Sequence, residues 1–224
     1  MRVLRQAAAV AGKDLRVEAR GRHALGAVLP FAATLLVAFG LSLGPGRTLL
    51  RETGPGLLWL AVLFGAVLAV RQSFGSEAED GALEGLVLAP VDRAALFLGK
   101  LAAVSVQLLA LEAVVALLVA GLFDLTFGGA PLVVVAAFVL GTVGLAAVGT
   151  LFGALAESPR AREGVLPLLV LPLCVPVLVA GVRATALAAA GQGGEAGSWL
   201  GLLLAFDVVF VGTGALVFGH LLED

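Results

Sequence analysis

Six long apolar segments constrain this chain more than any other feature of its sequence. They cover roughly residues 24–43, 54–70, 94–122, 131–156, 164–182 and 199–222. A helix needs about 20 apolar residues to cross a hydrocarbon core of roughly 30 Å, because lipid offers no partners to unpaired backbone groups. Hydrophobic residues make up 60% of the chain and charged residues only 13%. The sequence therefore predicts an all-α, polytopic membrane protein with six transmembrane helices in one domain, residues 1–224.

The distribution of Lys and Arg predicts which side of the membrane each loop faces, because cytoplasmic loops carry an excess of both. With six spans, the two termini share one side with the loops at 71–93 and 157–163. That side holds ten of the fourteen basic residues: Arg2, Arg5, Lys13, Arg16, Arg20, Arg22, Arg71, Arg93, Arg160 and Arg162. The opposite side holds Arg47, Arg51 and Arg183, and Lys100 lies inside the third span near the basic side. We therefore predict that both termini are cytoplasmic.

The pattern of basic and apolar residues in 1–23 predicts an amphipathic helix that lies at the membrane interface. At 100° per residue, Arg2, Arg5, Lys13, Arg16 and Arg20 share one stripe, and Leu4, Ala8, Ala11, Leu15 and Ala19 lie roughly opposite. The alternative is an ordinary positively charged tail that only sets the topology.

The segment 71–93, called the acidic segment below, holds five of the sixteen acids between two apolar spans. A helical projection places three acids within about 60° of one another beside an apolar stripe, and Pro90 ends the helix. The acids are Glu77, Asp80 and Glu84, and the stripe is Leu83, Leu86 and Val87. Such a surface suits the groove of a partner protein. The alternative is a solvated helix that lies on lipid headgroups.

Two acids fall within predicted spans, Glu112 in the third and Asp207 in the sixth. A charge at that depth costs several kcal/mol unless it is paired or hydrated. The sequence favours a structural, hydrogen-bonded role for both acids, with Glu112 facing another helix, over proton relay or substrate contact.

The fifth span contains three prolines, Pro167, Pro172 and Pro176, in the run LPLLVLPLCVP. Each proline removes a backbone hydrogen bond and crowds the preceding turn, so we expect a kinked or broken helix. It is either a bent helix that its neighbours accommodate or a gating or re-entrant element.

Residues for catalysis are scarce. The chain has two histidines, His23 and His220, one cysteine, Cys174, and no tyrosine, and it contains no G-x-x-x-x-G-K-[ST] phosphate loop. A nucleophilic triad and a metal site are therefore not expected, and axial ligands for haem are few. The sequence predicts a non-catalytic membrane subunit with no cofactor of its own and no nucleic-acid partner, driven by an external source of energy.

The acidic segment also carries a recognisable pattern. The order E-x-x-x-G-x-L-E-x-L-x-L-x-P, present as Glu77, Gly81, Leu83, Glu84, Leu86, Leu88 and Pro90, resembles the first cytoplasmic loop of ABC-2-type exporter permeases. More narrowly, the chain is similar to the CcmB family, the haem exporter permeases of cytochrome c maturation. The markers are GPGLLWLAVLFGAVLAV at 54–70, DGALEGLVLAPV at 80–91, Lys100, and EGVLPLLVLPLCVPVLVAGVRAT at 163–185.

The resemblance implies an ABC-2-type exporter fold in the inner membrane, with a coupling helix in the acidic segment that docks a separate ATPase. The docking residues would be Glu77, Glu79, Asp80, Gly81, Leu83, Glu84, Leu86, Val87 and Pro90. The implied partners are a CcmA-like ATPase that binds ATP, CcmC-like and CcmD-like membrane proteins, a CcmE-like haem chaperone and a second copy in a homodimer.

The implied function is to couple ATP hydrolysis to haem export or to release of the haem-loaded chaperone, with haem as cargo. Two alternatives remain at this point. One is an ABC-2-type permease that exports another substrate, such as a lipid-linked glycan or a drug. The other is a structural membrane scaffold with no bound ATPase.

Overall fold

The computed structural model describes residues 2–21, 23–44, 46–79, 92–155 and 169–221. Its helices are α1 (Arg2–Gly21), α2 (His23–Leu43), α3 (Arg47–Glu79), α4 (Arg93–Phe123), α5 (Pro131–Leu155), α6 (Val175–Ala189) and α7 (Gly197–Leu221). A helical segment at 169–173 precedes α6, and a 3-10 turn at Gly193–Ala196 precedes α7. No strand occurs in these ranges.

Among the described residues, four helices are long and apolar enough to cross a membrane. They are Arg47–Arg71, Arg93–Phe123, Pro131–Ala154 and Gly193–Phe218. Two shorter apolar helices, Val28–Leu43 and Val175–Ala189, lie where the first and fifth spans were predicted. The predicted class, an all-α polytopic membrane protein, is confirmed.

The helix bundle has two distinct ends. We call the end where α3 ends and α4 begins the loop end, and the end where α4 leads into α5 the turn end. At the turn end, the loop between α4 and α5 packs against the end of α6. A Cβ added at Gly129 in this loop would lie 2.6 Å from the carbonyl oxygen of Ala188. At the loop end, the rings of Phe97 and Phe218 lie 5.4 Å apart. The last turns of α7 therefore lie at the loop end, beside the start of α4.

Helix α3 extends well beyond one membrane crossing. Its 33 residues measure roughly 50 Å, about 20 Å more than a hydrocarbon core. The extension at the loop end includes residues 71–79, so the first part of the acidic segment is a continuation of α3 rather than a separate surface helix.

The fifth span is interrupted at Cys174, between 169–173 and α6. Pro176 lies in the first turn of α6 and has no N–H to donate to the carbonyl of Pro172, four residues earlier. Hydrogen bonds of 3.0 Å from Cys174 N to Val170 O and from Leu178 N to Cys174 O continue the helical path on both sides. Pro167 lies outside the described residues.

Trp59 holds the middle of the bundle together. Its indole ring occupies a notch where α5 and α6 have no side chains, because a Cβ added at either Gly141 or Gly181 would overlap the ring. The indole Nε1 donates a hydrogen bond of 3.1 Å to the Thr185 hydroxyl of α6, and both side chains are buried. One side chain of α3 therefore contacts two helices that are distant in sequence.

Candidate functional site at the loop end

The acidic segment is described at both of its ends. Glu77 and Glu79 lie in the last turns of α3. The other predicted docking residues lie outside the described residues: Asp80, Gly81, Leu83, Glu84, Leu86, Val87 and Pro90. At the exit of the segment, the Asp92 carboxylate accepts a hydrogen bond of 2.9 Å from Ala94 N and caps the start of α4. The segment therefore begins and ends on helices whose positions are fixed by the bundle.

Helix α1 packs directly against the first turns of α4. A Cβ added at Gly99 would lie 2.6 Å from Val10 Cβ and 2.8 Å from Ala7 O, so only glycine permits this approach. Gln6 Oε1 also accepts a hydrogen bond of 3.3 Å from Asp92 N. The amphipathic helix predicted for residues 1–23 is thus present as a helix, and one of its faces contacts protein.

The opposite face of α1 is exposed. It includes the basic side chains of Arg2, Arg5, Lys13 and Arg16, and Leu4 on the other stripe is exposed as well. These residues belong to the two stripes that the sequence predicted. A helix with one exposed basic stripe and an exposed apolar residue on the other stripe suits a position at a membrane interface.

A buried ionic cluster joins α1, α3 and α4. Lys100 Nζ lies 3.6 Å from Asp14 Oδ2 in α1, and it donates bonds of 3.4 Å to the carbonyl and the hydroxyl oxygen of Ser73 in α3. Only 1% of the Lys100 side chain is exposed. Asp14 also lies 3.2 Å from the more exposed Lys13 Nζ. The cluster lies just inside the loop end, beneath the points where the acidic segment begins and ends.

Glu112 is fully buried between α4 and α5. Thr142 donates a hydrogen bond of 2.9 Å to Glu112 Oε2, whereas Oε1 has no hydrogen-bond partner among the described residues. The side chain therefore faces another helix.

Asp207 lies on the other side of α5. A Cβ added at Gly144 would lie 2.9 Å from Asp207 Oδ1, an atom with no hydrogen-bond partner among the described residues. Thr142 and Gly144 are two positions apart on α5, which corresponds to about 200° of helical rotation. Glu112 and Asp207 therefore contact opposite sides of α5 and do not form one site. The described residues contain no group of His, Cys, Asp and Glu side chains that could hold a metal ion.

The sequence indicated only part of this arrangement. Lys100 was noticeable as a lone charge in an apolar run, but its partners Asp14 and Ser73 were not identified. Asp14 is a single acid among the basic residues of α1, and Ser73 is a small polar residue in a stretch that hydropathy assigns to a loop. Neither has a signal in sequence until the helices are placed side by side.

Comparisons with known proteins agree with this architecture. The model of the CcmB protein family matches residues 5–223. A protein of Pseudomonas aeruginosa named Heme exporter protein B is 34% identical over 156 residues, which is 68% of each chain. Its namesake in Paracoccus denitrificans is 34% identical over 186 residues, 80% of this chain and 82% of the relative. The chain belongs to the CcmB family.

The CcmB family match extends over α1, the acidic segment and the whole bundle. A third relative, Heme exporter protein B of Bradyrhizobium diazoefficiens, is 35% identical over 179 residues, 77% of this chain. At the loop end, the acidic segment begins on α3 and ends on α4, two helices of the packed bundle.

Proposed function

We propose that this CcmB family chain is the permease of an ABC transporter complex for c-type cytochrome biogenesis. It couples ATP hydrolysis by a separate, CcmA-like ATPase to haem export or to release of a haem-loaded, CcmE-like chaperone. Family membership and the names of the relatives support the haem assignment. The sequence has no phosphate loop, so we assign ATP binding to the partner ATPase. Haem is the proposed cargo.

The observation that carries the proposal is the continuity of the acidic segment with α3. Because residues 71–79 extend α3 without a break, a force on the acidic segment acts on the same helix that holds Trp59. Trp59 packs against Gly141 of α5 and Gly181 of α6. A displacement at the loop end therefore has a continuous packed path to the helices that lead to the turn end.

The proposal places the loop end in the cytoplasm and the chain in the inner membrane. Its basis is the excess of Lys and Arg on that side. The other proposed partners are CcmC-like and CcmD-like membrane proteins and a second copy of the chain.

Charge reversal in the acidic segment tests the docking. We expect the double variant Glu77→Lys with Glu84→Lys to lose the co-purified ATPase and to lower the yield of c-type cytochrome. The reversed charges would repel the basic side chains of the ATPase that the native acids attract. The matched control is Glu52→Lys with Glu195→Lys, which changes charge equally at two exposed residues of the turn end. If the first double variant retains both the ATPase and the cytochrome yield, the proposed function is wrong.

The orientation has its own measurement. A membrane-impermeant maleimide should label Ser198→Cys at the turn end in intact cells, and should label Arg16→Cys in α1 only after the membrane is opened. Both positions are exposed, and the native Cys174 is buried. The reverse pattern would place the loop end outside the cytoplasm.

A further inference from the structure

Lys100 is a charged side chain enclosed by three helices. A buried ammonium is stable only when a carboxylate and hydrogen-bond acceptors replace the water it has lost. Asp14 of α1 supplies a carboxylate, and Ser73 of α3 supplies two acceptor oxygens. The positions of α1, α3 and α4 are therefore interdependent at this point.

These contacts lie at the two ends of the acidic segment. Ser73 belongs to the helical part of the segment, and Lys100 lies two turns after its exit. At the exit, Asp92 N donates to Gln6 of α1. Helix α1 therefore contacts the exit of the segment directly and its entrance through Asp14 and Lys100.

The packing at Gly99 makes α1 and α4 move together. The α1 backbone approaches α4 so closely that an added methyl group at Gly99 would lie 2.8 Å from the Ala7 carbonyl oxygen. The contact between α4 and α3 is looser than this backbone packing, because it is a polar side-chain contact of 3.4 Å from Lys100 Nζ to the Ser73 carbonyl oxygen. A displacement of the acidic segment would thus stretch the Ser73 contact first, while α1 and α4 stay in register.

We propose that Asp14 and Lys100 form a positioning pair through which α1 sets the positions of 71–79 and 92–93, the described ends of the acidic segment. The inference rests on the function proposed above, in which that segment contacts the ATPase. Neither residue touches ATP or haem, and both act through the helices they join. Helix α1 is then a component of the coupling machinery as well as an interfacial helix.

Three substitutions test the pair in the complete complex with its ATPase. Asp14→Asn keeps the shape of the side chain and an acceptor oxygen but removes the charge. Lys100→Met keeps the length of the side chain and removes the ammonium. The matched control is Lys13→Met, which removes a charge from the same cluster at a side chain that is 47% exposed and leaves the contact between Asp14 and Lys100 in place.

We expect Asp14→Asn and Lys100→Met to lower the c-type cytochrome formed per complex by roughly two- to thirtyfold, the range found for residues that couple two sites. The amount of ATPase that co-purifies should change less than about twofold, because the docking surface itself is intact. The double variant should be no worse than Lys100→Met alone, since both act through one contact. Lys13→Met should behave as the wild type.

Hydrogen exchange separates positioning from general stability. In Asp14→Asn, amide exchange should rise in 71–79 and 92–99 and stay unchanged in α5. Equal increases in all helices, with loss of cytochrome in proportion to folded complex, would show an ordinary stabilising ion pair and overturn the inference. So would wild-type cytochrome yields in both single variants.

The two proposals fail differently. If Glu77→Lys with Glu84→Lys leaves docking and cytochrome yield intact, the proposed function fails and the positioning role fails with it. If that variant loses both while Asp14→Asn and Lys100→Met retain full coupling, only the positioning role is wrong.

Discussion

Helix α4 makes an ionic contact at each end, and the two contacts differ in burial rather than in chemistry. At the loop end, Lys100 and Asp14 have side chains that are 1% and 10% exposed and lie 3.6 Å apart. At the turn end, Arg51 and Asp124 are 54% and 48% exposed and lie only 2.5 Å apart. Water compensates either partner of the exposed pair when the contact breaks, but not the buried lysine. Burial, more than distance, therefore decides the cost of breaking each pair.

The largest expected effect is at the buried pair. Asp14→Ala should lower the free energy of unfolding by about 3–5 kcal/mol, because Lys100 keeps its buried charge and loses the Asp14 carboxylate. Thermal unfolding in detergent measures the change. Adding Lys100→Met to Asp14→Ala should recover most of the loss, since no uncompensated charge then remains. A loss below about 1 kcal/mol in Asp14→Ala would show that the remaining contacts of Lys100 suffice without Asp14.

Trp59 lies between the two ends of the bundle, and its contacts depend on packing and one neutral hydrogen bond rather than on an ion pair. Trp59→Phe puts a smaller ring in the notch at Gly141 and Gly181 and loses the N–H that bonds to Thr185, whose side chain is buried. We expect about 1–2 kcal/mol of the loss to come from the buried hydroxyl left without its partner, and the rest from the space that the smaller ring leaves.

The control for Trp59→Phe is the double variant with Thr185→Val, which removes the unpaired hydroxyl at nearly constant volume. It should be more stable than Trp59→Phe alone by about 1–2 kcal/mol. If the double variant is no more stable than Trp59→Phe alone, the cost comes from the lost indole packing and not from the hydrogen bond.

The helices could be predicted closely from sequence, because lipid forces each apolar segment to satisfy its own backbone. The third span was predicted at 94–122 and α4 is Arg93–Phe123, and the fourth was predicted at 131–156 and α5 is Pro131–Leu155. The fifth span is interrupted beside Pro176, where a backbone donor is missing. Local chemistry was enough for these features.

Contacts between helices could not be predicted in the same way. Trp59 and Thr185 are 126 residues apart, so their contact depends on which helices are neighbours. The acidic segment illustrates a second limit. A helical projection placed Glu77 and the residues up to Val87 on a separate surface helix, whereas 71–79 continue α3, because hydropathy shows where lipid ends but not where a helix ends.

A smaller effect is expected at Glu112, within the middle of α4. Glu112→Gln retains an acceptor for Thr142 and replaces a carboxyl group by an amide that costs less to bury. Stability should change by about 1 kcal/mol or less, and the cytochrome yield should stay within about twofold of the wild type. Glu112→Leu is the control, because it leaves the buried Thr142 hydroxyl unpaired. A normal fold with no cytochrome formed in Glu112→Gln would instead indicate that this acid transfers a proton.

The smallest effect is expected at the exposed pair. Asp124 has a φ of 52°, a left-handed conformation that asparagine also tolerates, and its backbone carbonyl accepts a bond of 2.9 Å from Arg51 Nε. Asp124→Asn keeps both features and loses only the charge, so we expect about 0.5 kcal/mol at low salt and no difference at high salt. Asp124→Ala should cost roughly 1 kcal/mol more, because alanine resists the left-handed backbone. If Asp124→Asn costs as much as Asp14→Ala, burial is not what distinguishes the two ends of α4.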